Sequence, residues 1–166
     1  MTSRLKFFVS RCLMVAAFAL PGQAFAAVDV VASFSILGDI TQRVGGERIK
    51  VHTLVGRNAD AHVYQPTPTD AKPLAKARLV VVNGLGFEGW IDRLIKSSGY
   101  RDSVTTASSG IRTLARGESG DEHDHHDHAG PSDPHAWQDL ANAARYVDNI
   151  RNALIDIDPE GRSTYQ

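Results

Sequence analysis

Cysteine is almost missing from this chain. Among 166 residues there is one, Cys12, and a single thiol excludes both an intrachain disulfide framework and a cysteine-rich zinc finger. A charge excess is missing as well. Eighteen Lys and Arg stand against 19 Asp and Glu, a formal net charge of −1, so no global basic field points to nucleic acid. No apolar run reaches the ~20 residues that a membrane-spanning helix needs. The catalytic signatures HExxH, GxSxG and GxxxxGK[ST] do not occur. Hydrophobic residues at 42% and charged residues at 22% exclude a wholly disordered, collagen-like or coiled-coil chain. The length suits one domain or a short pair. What is plentiful is histidine: there are seven, four of them between His123 and His128.

The chain opens on Arg4, Lys6 and Arg11, followed by the apolar run Cys12 to Leu20, the break Pro21-Gly22, and the small residues Ala24 and Ala26. These are the three regions of a secretory signal peptide, residues 1–26, with cleavage expected after Ala26. Cys12 follows Arg11 rather than a small residue, so it does not read as a lipid-attachment site. The remaining chain, 27–166, has no cysteine, which fits a bacterial periplasm or surface better than a disulfide-stapled secreted domain.

Along that chain, short β-rich runs alternate with helical periodicity. VDVVASF (28–34) reads as a strand. Ser35 then reads as the cap of a helix with Ile36, Leu37, Ile40 and Val44 on one face, ended by Gly45-Gly46. ERIKVHTLV (47–55) reads as a second strand, and Thr67-Pro68-Thr69-Asp70 as a capping box whose helix Pro73 keeps short or kinked. LVVV (79–82) has the continuous apolar character of a buried parallel strand. Phe87, Trp90, Ile91, Leu94 and Ile95 recur at helical spacing up to Gly99. Val104-Thr105-Thr106 is a fourth strand, and residues 115–134 read as a flexible loop. Leu140, Ala143, Ala144, Val147, Ile150, Leu154 and Ile157 mark a long helix, and Asp158-Pro159 the cap of another. Four alternations predict an α/β lobe with a mostly parallel four-stranded sheet flanked by helices. In such sheets ligands bind outside the carboxyl ends of the strands. That directs attention to the loops after Val55 and Thr106, which contain His62 and His135.

Imidazole is a versatile ligand for borderline divalent metals. His62, in Asp60-Ala61-His62-Val63-Tyr64-Gln65-Pro66, is either a surface histidine or a ligand. Asp60 is either a solvated carboxylate or the partner that fixes the far ring nitrogen. His135, in Ser132-Asp133-Pro134-His135-Ala136-Trp137, follows a stiffening proline and precedes a large apolar anchor, as suits a ligand held still; the alternative is a capping-region histidine. The segment Asp121 to His128 alternates His123, His125, His126 and His128 with carboxylates, a multivalent donor set for zinc or copper without fixed geometry. His52 reads as structural. Gly84, Gly86 and Gly89 match the spacing of GxGxxG, but Glu88 within it, the expected export and the missing acidic partner favour a tight strand-to-helix turn over a nucleotide loop.

SFSILGD, DAHVYQPTP, LVVVNGLGFEGWIDRL, the acidic His-rich segment and DPHAW occur in one order behind a signal sequence. Together they resemble the periplasmic solute-binding proteins of zinc/manganese ABC importers, and the His-rich segment before DPHAW is similar to the zinc branch. The resemblance implies an amino-terminal metal-binding lobe at 27–157, with a His-rich loop at 118–130. It further implies the start of a truncated interlobe helix at 158–166, with the second lobe absent. It implies His62 and His135 as metal ligands, Ala61 standing where the family usually has proline. The His-rich loop then supplies auxiliary ligands, and the remaining ligands come from the other lobe. The implied role is capture of Zn2+, with Mn2+ as the alternative cargo, by a monomeric non-enzyme in the periplasm that delivers it to an inner-membrane permease. Rival expectations are a manganese-specific subunit and a periplasmic zinc buffer or chaperone acting through the His-rich loop alone.

Overall fold

The computed structural model describes residues 26–112 and 133–166. Residues 1–25, on which most of the expected signal segment falls, and residues 113–132, with His123, His125, His126 and His128 of the expected His-rich loop, lie outside the described residues. Four strands, β1 (Val28–Phe34), β2 (Ile49–Val55), β3 (Leu79–Val82) and β4 (Ser103–Thr106), form one sheet in the order β2-β1-β3-β4. Every neighbouring pair is parallel, with Val30 opposite Val51 and Leu79, and Val82 opposite Thr106. The strands that read as apolar runs are the central ones. β3 is buried throughout, and β1 from Val30 to Phe34. The polar β4 lies at an edge, where one side needs no neighbour.

The helices are α1 (Ser35–Gly45), α2 (Ala71–Leu74), α3 (Ile91–Ser98), α4 (Leu140–Ile157) and α5 (Arg162–Tyr165). Helix α1 packs on β1 and β2, α4 on β3 and β4, and the two helices meet; α2 packs on α3. Leu37, Tyr146, Ile150 and Leu154 from α1 and α4 are fully buried with Val30, Val31 and the β3 valines. Burial of such side chains at about 1.5–3 kcal/mol each is the main force holding helices to sheet.

Several boundaries differ from the sequence reading, each for a local reason. The cap of α1 is Phe34, in extended conformation, and Ser35 makes no cap bond. Residues 46–48 form a 3-10 turn rather than the start of β2, since Arg48 is drawn out to Asp158 by two bonds of 2.8 and 2.9 Å. Asp70 does reach back to the Thr67 N–H at 2.6 Å, yet α2 starts only at Ala71 and lasts one turn around Pro73. Helix α3 starts at Ile91 rather than Phe87, because residues 83–90 fold as turns around the Glu88 carboxylate. It ends as expected on Gly99, at φ 75°. Asp139 caps α4 by accepting from the Asn142 N–H at 2.9 Å. Leu140 and Val147, read as part of its apolar row, are 88% and 39% exposed. After α4 a 3-10 turn, Pro159–Gly161, leads into α5.

Candidate metal centre

From the end of β1 the chain crosses to β2 on one side and later returns to β3 on the other. Between the carboxyl ends of β1 and β3 this leaves a crevice, the usual ligand position in a parallel α/β sheet. Phe34 ends β1 and Phe87 follows β3; their rings lie 4.8 Å apart. Trp137 closes the group at 5.0 Å from Phe34 and 5.1 Å from Phe87. The result is an aromatic floor over the crevice.

Two histidines stand on that floor. The His62 ring meets Phe87 edge-on at 4.4 Å, and the His135 ring meets it at 5.8 Å. Their Nε2 atoms are 3.1 Å apart although 73 positions separate them in sequence. Both are presented by the same local device. In Asp60-Ala61-His62 the Asp60 Oδ1 accepts the His62 main-chain N–H at 2.9 Å; in Asp133-Pro134-His135 the Asp133 Oδ1 accepts the His135 N–H, also at 2.9 Å. These are Asx turns, favoured because a short carboxylate mimics a backbone carbonyl two residues on. Two residues beyond each histidine stands an aromatic anchor. Tyr64 packs on Trp90 at 5.0 Å, and Trp137 packs into the floor.

The two aspartates differ in one respect. Asp133 Oδ1 also lies 2.8 Å from the His135 ring Nδ1. With Nδ1–H donating to this carboxylate, the lone pair sits on Nε2, facing His62. The ring-orienting contact, one of the two readings open for Asp60, is made by Asp133, while Asp60 holds the main chain.

Beneath the loops is a layer of polar side chains that the sequence reading did not single out. The Trp90 indole N–H donates to the Ala61 carbonyl at 2.7 Å. Asn83, fully buried, donates through Nδ2 to the Pro134 carbonyl at 2.9 Å and to Gly84 O at 3.1 Å. Its Oδ1 accepts the Tyr146 hydroxyl at 2.7 Å. The buried Glu88 takes the main-chain N–H groups of Asn83 at 2.6 Å and Gly84 at 3.2 Å, and the Ser33 hydroxyl. Burial pushes the Glu88 carboxyl above its ordinary value, and the bonds from Ser33, Asn83 and Gly84 oppose the rise. Burial, then the charge of Glu88, pushes the Tyr146 phenol up to about 12.

In the glycine-spaced turn at 84, 86 and 89, the same carboxylate takes the N–H groups of Asn83 and Gly84. N–H groups that would cradle a phosphate in a nucleotide loop are here bound to Glu88. At Gly84, φ is 85° and an added Cβ would stand 2.5 Å from Thr106 Cγ2; glycine admits both the conformation and the close approach of β4. His52 is exposed on β2.

Two tetrahedral ligands at the zinc–imidazole distance of about 2.0–2.1 Å stand roughly 3.3 Å apart. The observed 3.1 Å is close to that, and also suits adjacent ligands of a larger six-coordinate ion. Among the described residues no cluster of three or more His, Cys, Asp or Glu forms a metal cage. The pair is an open, two-nitrogen arrangement, with His135 and Asp133 side chains 41% and 52% exposed.

Comparison with known proteins gives a consistent answer. The family model described as zinc-uptake complex component A, periplasmic, matches residues 30–166. The manganese-binding lipoprotein MntA of Halalkalibacterium halodurans is 38% identical over 138 residues, covering 83% of this chain and 42% of that protein. The iron-binding protein YfeA of Yersinia pestis is 35% identical, covering 82% of this chain and 41% of its own length. The solved Mn-bound periplasmic metal-binding protein of Candidatus Liberibacter asiaticus superposes with a TM-score of 0.72 at 34% identity, covering 84% of this chain and 49% of that one. Zn(II)-bound AdcA of Streptococcus pneumoniae, 21% identical with a TM-score of 0.69 over 84% of this chain and 28% of its own, shares the fold. The chain spans less than half the length of the curated relatives it matches.

Proposed function

The chain belongs to the family of the periplasmic component A of zinc-uptake complexes, and from that premise we propose that its His62–His135 pair is one half of a capture site for a divalent first-row cation. The observation that carries this reading is the 3.1 Å approach of the two Nε2 atoms above the β1–β3 crevice. Imidazoles bind such cations as neutral rings, and the Asp133 contact at 2.8 Å leaves the His135 lone pair on Nε2. Two protein ligands leave coordination positions open. Donors from a facing lobe close them and set the affinity.

The cargo on this reading is zinc. Its support is the nitrogen character of the pair and the histidines His123, His125, His126 and His128, since imidazole-rich sets suit zinc and carboxylate-rich sets suit manganese. The protein acts in the periplasm after cleavage of residues 1–26 and hands the ion to an ABC import permease. Its part is binding and transfer, with no bond of a substrate broken. A second reading, manganese as cargo, is favoured by relatives named for manganese, such as MntA and the pneumococcal lipoprotein PsaA.

Titration of the full chain with Zn2+ and Mn2+ against a chromophoric chelator tests both. Zinc binding that survives deletion of 121–128 and disappears in His62→Ala/His135→Ala supports the half-site. Binding lost with the deletion and kept in the double substitution replaces it with the buffer reading. Tighter binding of Mn2+ than of Zn2+ overturns zinc as the cargo.

A further inference from the structure

The two histidines sit on loops, and loops are poor places to hold a geometry unless something rigid fixes them. The structure has one such fixture for each. We infer that Asn83 and Trp90 are positioning residues for the pair, each acting from the core on the main-chain carbonyl of the residue just before a histidine. This rests on reading His62 and His135 as the cargo ligands.

The two arrangements are parallel. The Ala61 carbonyl accepts from Trp90 Nε1 at 2.7 Å, and the Pro134 carbonyl accepts from Asn83 Nδ2 at 2.9 Å. Trp90 is 3% exposed and Asn83 is fully buried. Each carbonyl lies one residue before its histidine, inside the Asx turn that fixes the histidine N–H. With N–H and preceding carbonyl both held, the peptide plane leading into each histidine has little freedom left. The direction of the Asn83 amide is set as well. Its Oδ1 receives the Tyr146 hydroxyl at 2.7 Å, which turns Nδ2 toward Pro134. Its main chain is tied to Glu88 at 2.6 Å and to Ser108 Oγ at 2.6 Å. Asn83 thus connects a loop 51 positions away in sequence to the end of β3 and to α4. Trp90 connects the loop 29 positions before it to the start of α3. Neither residue touches the other's loop through these bonds, so each sets one histidine.

The test separates positioning from mere stability. Asn83→Leu removes the donor and leaves the Tyr146 hydroxyl unpaired, so it lowers stability as well. Asn83→Leu/Tyr146→Phe removes that unpaired hydroxyl and restores much of the stability, but the Pro134 carbonyl stays unheld. Trp90→Phe keeps an aromatic ring and drops the N–H. Thermal midpoints and Zn2+ affinity by chelator competition are read on the full chain, together with the histidine ring resonances by NMR before metal is added. The expected result is a zinc affinity roughly tenfold weaker in the double variant and in Trp90→Phe, the scale of losing a partner that orients a ligand. The His135 ring signals move in the former and the His62 signals in the latter. Affinity that returns to the wild-type value together with stability in the double variant overturns the inference, as do unmoved ring signals. A chain whose zinc affinity is indifferent to His62→Ala and His135→Ala loses the ligand reading instead; the ring signals still decide the positioning roles.

Discussion

The loops around His62 and His135 use the same five-residue pattern, Asp-x-His-x-aromatic, and the same turn, yet they are braced differently. In the first, Asp60 makes one bond, to the main chain, and the aromatic Tyr64 packs on the buried Trp90. In the second, Asp133 reaches both the main chain and the ring nitrogen, Trp137 enters the aromatic floor, and proline stiffens the turn from within. His135 is therefore held in position and in tautomer, while the His62 ring takes its orientation from the Phe87 edge and from His135 itself. One local motif can present a ligand; the number of independent constraints on its ring decides how firmly.

Removing either ring gives the largest effect. His62→Ala and His135→Ala are each expected to weaken zinc binding by more than about 100-fold, beyond what losing an orienting partner costs, as read by chelator competition at neutral pH. A single substitution that leaves affinity intact breaks the symmetry of the pair. The aspartates sharpen the comparison. Asp133→Ala is expected to cost about 10–100-fold in affinity. Asp60→Ala, which removes one main-chain bond of about 0.5–1.5 kcal/mol, should cost about tenfold or less. Equal losses would mean that the Asp133 ring contact contributes nothing.

A control far from both loops comes next. At Gly161 an added Cβ would press on the Asp158 carboxylate, Arg48 and Tyr165. Gly161→Ala should lower stability by roughly 1–3 kcal/mol, the cost of overpacking, measured by urea unfolding. It should leave the ratio of the two aspartate effects unchanged.

The smallest effect is a pH slope. Burial raises the Glu88 carboxyl, so its contribution to stability is full below the ordinary value of 4.5 and is lost as pH rises through the raised one. Asp158 behaves oppositely. The Arg48 bond lowers it, and its contribution is present above 3.8 and lost as pH falls through the lowered value. Glu88→Gln should flatten the stability profile above pH 4.5 and leave the acid limb in place. An unchanged slope above pH 4.5 would remove Glu88 as its source.

Much of this was legible beforehand. The apolar run at 79–82 marked a buried central strand, and the alternation of strands and helices marked a parallel sheet with its ligand edge at the carboxyl ends. His62 and His135 stood out by their place after strands and by the resemblance of their motifs to metal-binding solute receptors. Asn83, Glu88 and Tyr146 did not stand out. Each makes a side-chain bond to a partner distant in sequence, Asn83 to the Pro134 carbonyl, Glu88 to the Ser33 hydroxyl and Tyr146 to Asn83, and such bonds leave no period or spacing in a sequence. Glu88 was visible only as an odd residue in a glycine-spaced turn, and the fold makes it the centre of that turn. Orienting the ring was one of two readings open for Asp60; Asp133, in the same sequence pattern, makes that contact, and only the place of the ring separates the two.

By itself, then, the sequence determined what is local: the two Asx turns, whose bonds span two residues; the helix stop at Gly99; and the central strands, chosen by continuous apolar runs. Only the tertiary structure decided what is shared between distant segments. It brought residues 62 and 135 to 3.1 Å and placed Asn83 and Trp90 under their loops. The reason is physical. Local bonds depend on neighbouring dihedrals, which residue types bias directly, whereas the meeting of two loops depends on strand order and on the packing of a whole sheet.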